Sequence, residues 1–145
     1  MTPVRIALIL LLVGFGVTAA RGQVPIQETP AAVPDSVAHR VVTAFVEGDA
    51  ETLLTPATDR VELSLFGART FYSKAQAFYV LREFFDLHPP VDFQLSDVTA
   101  AENSCFVRGQ FTHDEGQRPL QVYARFVARE AVWRLQEVRI DEDVE

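Results

Sequence analysis

Apolar residues recur at two periods along the chain, and the switches between them mark out the elements. Val37, Val41, Ala44, Phe45 and Gly48 fall on one helical stripe, while His39, Arg40, Thr43 and Glu47 fall largely on the other. This predicts a first helix capped by Asp35. Gly48-Asp49 ends it and caps a short helical turn from Glu51 to Leu54, which Pro56 stops. From Arg60 the period becomes two: Val61, Leu63 and Leu65 point one way, Glu62, Ser64 and Phe66 the other. Gly67-Ala68 turns the chain into Thr70-Phe71-Tyr72, so a short hairpin is expected.

The helical period returns at Ser73. Its hydroxyl can accept from the amide three residues on while Gln76 reaches back, the reciprocal pattern of a capping box. Phe78, Leu81, Phe84 and Phe85 then face inward, Tyr79, Arg82, Glu83 and Asp86 outward, and His88-Pro89-Pro90 closes the helix. Alternation resumes in Val91, Phe93 and Leu95, in Ser104 to His113, in Pro119 to Arg129 and in Val132 to Ile140. Short separators make these four strands an antiparallel meander. Helices on one side of an antiparallel sheet define an α+β domain, and strands this long curl the sheet into a cone around its helices.

The meander shows apolar residues on both faces of its alternation, Phe126 against Val127 and Trp133 with Leu135 against Val138 with Ile140. A sheet with one face in water should be cleaner, which predicts a homodimer through the sheet; deep closure of the cone accounts for the same pattern.

Ahead of the domain, Arg5, the apolar run Ile6 to Val17 and the small residues Thr18-Ala19-Ala20 form the three-part pattern of a secretory signal. The run is short for a membrane span, so no stable span is expected after cleavage, which fits equally after Ala20 or Gly22. The organisation expected is therefore a signal over 1–22, a proline-bearing leader over 23–34, the α+β domain over 35–141 and an acidic tail over 142–145, in an exported protein, periplasmic or secreted. The chain carries a net charge of −7. Residues 1–22 contain Arg5 and Arg21 and no acid, so 11 basic and 20 acidic residues follow them, a net of −9. That balance argues against nucleic acid and anionic membrane surfaces as partners. With Cys105 alone there is no intrachain disulfide, and its place in the alternation makes it a buried structural thiol.

Chemistry-bearing residues are scattered. His39, His88 and His113 lie on three elements without metal-ligand spacing, and His113, at a strand end, is expected at the surface. Neither a metal nor a cofactor is expected. Glu62 shares a strand face with Ser64 and Phe66. It either lines the cone, paired with Arg108 or Arg125, or sits as a solvated carboxylate on a short edge strand. Tyr123 with Arg125, and Trp133 with Leu135, read first as cross-strand packing and second as pocket lining.

Glu47-Gly48-Asp49, Val61-Glu62-Leu63-Ser64-Leu65, Tyr72-Ser73-Lys74 with Gln76-Ala77, Phe84-Phe85 and Pro89-Pro90-Val91-Asp92-Phe93 together resemble an exported bacterial family, domain of unknown function 4783, within the nuclear transport factor 2-like superfamily. The resemblance spans roughly residues 35 to 141. It implies a curved sheet wrapped on helices with a pocket in the cone, used by different superfamily members for isomerisation, dehydration, ligand binding or dimerisation. Ketosteroid-isomerase-like members use a tyrosine and a carboxylic acid as oxyanion donors with a separate carboxylate base. Tyr72, Tyr79, Tyr123, Glu62, Asp92 and Asp97 are the raw material here, and none matches those catalytic positions.

The leading expectation is an exported non-catalytic domain binding a small apolar ligand or an envelope protein partner, with Glu62, Tyr72, Arg108, Tyr123 and Trp133 as pocket candidates. The alternative is a cofactor-independent isomerase, hydratase or cyclase with Glu62 or Asp92 as base and Tyr72 or Tyr123 as donor. The two differ in the cone: an enzyme needs a carboxylate beside a tyrosine in a cavity, whereas an interaction module fills it with Phe78, Leu81, Phe85 and Trp133.

Overall fold

The computed structural model describes residues 35–143; the expected signal and leader, and the last two residues of the acidic tail, lie outside them. Helix α1 (Asp35–Glu47) buries Val37, Val41, Ala44 and Phe45, the stripe read from the sequence. It ends at Gly48, whose φ of +64° lets the Asp49 amide turn back to the Ala44 carbonyl at 2.8 Å. Asp49 then caps α2 (Ala50–Leu54) by accepting from the Thr52 amide and hydroxyl, which holds its carboxyl below the usual carboxylate range.

Strands β1 (Ala57–Leu65) and β2 (Ala68–Ser73) form the short hairpin and lead into α3 (Lys74–Leu87). The Ser73–Gln76 capping box is present, and α3 buries Ala77, Leu81, Phe84 and Phe85, with Phe78 half-buried. Strands β3 (Pro90–Ala101), β4 (Ser104–His113), β5 (Leu120–Arg129) and β6 (Val132–Glu142) follow as an antiparallel meander. The six strands make one sheet in the order β2-β1-β6-β5-β4-β3. It is a mixed sheet, because β1 pairs in parallel with β6, joining Leu63 to Val138. The first hairpin is thus continuous with the last strand, and β1 is an interior strand rather than the edge expected for it.

The inner face, against the helices, is closed by side chains. Phe45 stacks on Phe93 at 5.1 Å between ring centres and meets Phe85 and Phe111 edge-on at 5.4 and 5.5 Å. Leu53, Leu63, Leu81, Phe126, Leu135 and Ile140 are also fully buried. Cys105 belongs to this core, where burial pushes its thiol up to about 11.

One sequence expectation changes here. Between Leu135, opposite Phe126, and Glu137, opposite Arg125, the residue Gln136 has no partner of its own. This bulge resets the alternation, so Leu135, Val138 and Ile140 all enter the core while Glu137 and Arg139 face away. The two-faced apolar pattern of β6 comes from the bulge, and a second covering layer is not required to explain it.

Candidate functional site

The outer face of the sheet, turned from the helices, carries most of the polar candidates in two cross-strand rows. Register places Phe71, Glu62, Glu137, Arg125, Phe106 and Thr99 in one, and Arg69, Ser64, Arg139, Tyr123, Arg108 and Asp97 in the next. Glu62 and Glu137 are 6% and 5% exposed, far below a solvated carboxylate, because long arginine side chains lie over them. Arg69 Nε donates to Glu62. Glu137 accepts from Arg139 Nη2 at 2.9 Å and Arg125 Nε at 3.3 Å, with Arg69 Nη2 at 3.9 Å. Each of the two buried carboxylates is therefore paired with at least one arginine, as burial of charge demands.

Tyr123 sits beside this network, stacked on Phe106 at 5.7 Å and flanked by the guanidinium carbons of Arg139 and Arg108 at 5.2 and 5.7 Å from its ring centre. Burial pushes its phenol up, Glu137 adds to the shift, and Arg125, Arg139 and Arg108 oppose it. A shallow depression of about 320 Å³ opens between Arg108, Tyr123, Arg139 and Asp141.

Glu62, Arg108 and Tyr123 are thus brought to one surface, but on the outside of the cone. Glu62 pairs with Arg69 rather than with Arg108 or Arg125, since Arg69 reaches it diagonally across the hairpin. Asp92 lies on the same outer face near the far edge, opposite Thr112. Tyr72 lies on the other side of the sheet, half-buried against the core opposite Val61. Trp133 is also apart, lining a cleft of about 290 Å³ with Val37, Arg40 and Phe126. The candidate bases Glu62 and Asp92 therefore share no cavity with Tyr72. Of the four residues expected to fill the interior of an interaction module, Leu81 and Phe85 do so, joined by Phe45, Phe93 and Phe111, whereas Phe78 and Trp133 are half-buried and line surface clefts.

A larger cavity, about 520 Å³, lies at one end of the cone between Phe66, His88, His113, Arg118, Leu120 and Glu142. His113, expected at the surface, is only 9% exposed, because β4 enters the core as far as Phe111 and the next inward position is His113. Counting back from the Ala100–Ser104 turn in strict register would set His113 opposite Asp92; two register shifts in β3 bring it opposite Pro90 instead, two residues after His88, so a plain count along the hairpin misses their proximity. Glu137 and Arg139 went unnoticed because the bulge hides their face. Among the described residues no group of three potential ligands could hold a metal ion, and no helix is long and apolar enough to cross a membrane.

The family described as domain of unknown function (DUF4783) matches residues 38–141. Among solved structures, a protein of that family from Bacteroides ovatus is 25% identical with a TM-score of 0.69, over 78% of this chain and 97% of that one. Another from Bacteroides uniformis is 24% identical with a TM-score of 0.67, over 74% and 97%. A putative polyketide cyclase from Sinorhizobium meliloti shares the fold at 15% identity and a TM-score of 0.57, over 75% of this chain and 95% of that one. No curated protein matches the chain.

Proposed function

We propose, for a chain that belongs to the family described as domain of unknown function 4783, the role of an exported, non-catalytic interaction domain that docks a second copy of itself on the outer face of its sheet. The observation that carries this reading is the inversion of the cone: its interior is packed with aromatic rings, while the ordered polar network stands outside. The two central rows hold four arginines against three carboxylates in a chain of net charge −7. The excess negative charge thus lies elsewhere, and this is a face on which two such chains can approach without repulsion. Six strands about 4.8 Å apart and roughly 33 Å long present close to the 800 Å² that each partner of a standard interface buries. Export rests on the N-terminal pattern of Arg5, the apolar run and the small residues that follow.

The test is sedimentation equilibrium of the chain from Gln23 onward at micromolar concentration, with Arg108→Glu as the disrupting variant. Arg108 is exposed and makes no ion pair among the described residues, so its reversal leaves the fold intact. A dimer weakened about tenfold or more by the reversal supports the reading. A monomer throughout, or a dimer indifferent to Arg108, refutes it. Native mass spectrometry of the same sample counts the subunits independently.

A further inference from the structure

We infer that the cavity at the end of the cone is a binding site for a small, planar, uncharged nitrogen heterocycle bearing an amino group. Three observations converge there. The first is Phe66, which holds φ at +50° in the turn between β1 and β2, followed by Gly67 at +83°. Two consecutive positive φ values suit Asn-Gly, and a bulky aromatic at the first position is an outlier. The turn is nevertheless pinned, with the Phe66 amide donating to the Ile140 carbonyl at 2.9 Å and the Gly67 amide to Asp141 Oδ1 at 3.1 Å. The Phe66 ring stays 47% exposed and lines the cavity. Glu102, Asp114, Glu130 and Ala131 hold positive φ in the other turns, so what sets this turn apart is a large aromatic ring kept half in solvent at the mouth of a cavity.

The second observation is His88. Its Nδ1 lies 2.9 Å from the Phe84 carbonyl, which can only accept, so Nδ1 carries the hydrogen and Nε2 of the neutral ring is an acceptor. The ring is held flat on Phe84 at 4.5 Å and edge-on to His113 at 4.9 Å, with Phe66 at 5.6 Å. The third is His113, whose Nδ1 is buried with no hydrogen-bond partner among the described residues; Asp114 Oδ2 is 3.7 Å away. A buried polar atom without a partner is destabilising, and a ligand that draws the ring into a hydrogen bond relieves it.

The ligand class follows from these walls. The half-exposed Phe66 ring offers a flat surface for stacking, backed by His88, which is itself stacked on Phe84. His88 Nε2 and Glu142 accept, while Arg118 and Gln117 donate, so the ring should carry both donors and acceptors on its edge. Arg118 is outweighed by Glu142 and Asp143 at the rim, which disfavours an anion. The cavity is within the range of roughly 300–1,000 Å³ usual for small-molecule sites.

Adenine is the probe, added to the full chain while amide and imidazole resonances are followed by NMR. Saturable shifts are expected at Phe66, Gly67, His88, His113 and Gln117, with a dissociation constant on the order of a millimolar or tighter. Phe66→Asn should weaken binding about tenfold through loss of stacking. Its thermal midpoint should not fall, because Asn adopts positive φ readily. Benzoate, equally flat but anionic, should give no saturable shift at these residues. Absence of saturation with adenine at its solubility limit, equal binding by Phe66→Asn, or benzoate binding as tightly as adenine would each overturn the inference.

Discussion

Replacing Gly109 by alanine tests whether the cone has room inside. Gly109 lies on the inner face of β4, opposite Leu95 on β3 and Val122 on β5. A Cβ built there comes within 2.3 Å of Phe93 Cζ, 2.7 Å of Cε1 and 2.8 Å of the Gln94 carbonyl oxygen. Ordinary contact begins at about 3.4 Å, so the Phe93 ring would have to retreat by roughly 1 Å. It cannot do so freely, because Phe45 stacks on it at 5.1 Å and Phe45 is itself fully buried between Phe85 and Phe111. The Gln94 oxygen belongs to the backbone of a paired strand and yields still less. Overpacking of this kind typically costs 1–3 kcal/mol, and the closed aromatic cluster puts Gly109→Ala near the top, at about 3 kcal/mol. Phe93→Leu removes the obstructing ring edge and should cost about 1–2 kcal/mol alone. The double variant should be more stable than the sum of the two losses by about 1 kcal/mol or more, since each change relieves the other. Urea unfolding of the four proteins measures this cycle. A Gly109→Ala loss below about 0.5 kcal/mol would mean that Phe93 has space to move into. That result would reopen the cone as a pocket and remove the main support for an interaction role.

Three other outcomes are expected. Asp49→Ala should destabilise the domain by about 1 kcal/mol at neutral pH through loss of the α2 cap. Because the folded carboxyl titrates below the unfolded value of 3.8, the native advantage is present above that pH and lost as pH falls through the lower folded value, which acid unfolding of the pair reads directly. The Cys105 thiol, raised to about 11 from 9.0 by burial, should resist alkylation in the native state and react at once in urea. The same shift means that stability declines as pH rises above 9.0, because the unfolded chain ionises first. Glu137→Gln keeps the shape but removes the charge facing Arg125 and Arg139, which are 33% and 45% exposed at the side chain. Discounted for that hydration, the loss should be about 1–2 kcal/mol by thermal or urea unfolding, and smaller in high salt.

The helices and the meander were legible because their signals are local. A capping box at Ser73 and Gln76, a stripe from Val37 to Phe45 and clean alternation from Cys105 to Phe111 each specify structure within a few residues. The join between β1 and β6 was not, since nothing near Leu63 names Val138 as a neighbour. The site suffered for the same reason. Glu62 was seen, but its burial depends on β6 lying beside β1, and an edge strand would have left it solvated; its partner Arg69 lies within the predicted hairpin. Gln136 adds one residue to β6 and so moves Glu137 and Arg139 off the face that a strict alternation makes them share with Leu135. His113 ended a strand in sequence yet faces inward, because the alternation that buries Phe111 continues to it.

The parallel pairing of β1 with β6 also bears on how the polypeptide acquires its shape. The centre of the sheet is assembled from the first strand made and the last, so β1 lacks one of its neighbours until the C-terminal residues are available. Contacts that close so long a loop are slow to form. A ribosome-bound chain can complete the hairpin and α3, but it has no finished sheet on which to pack them. Such a protein stays pliable during synthesis and snaps into its native form only when whole, and losing β6 would split the sheet down the middle rather than fray its rim.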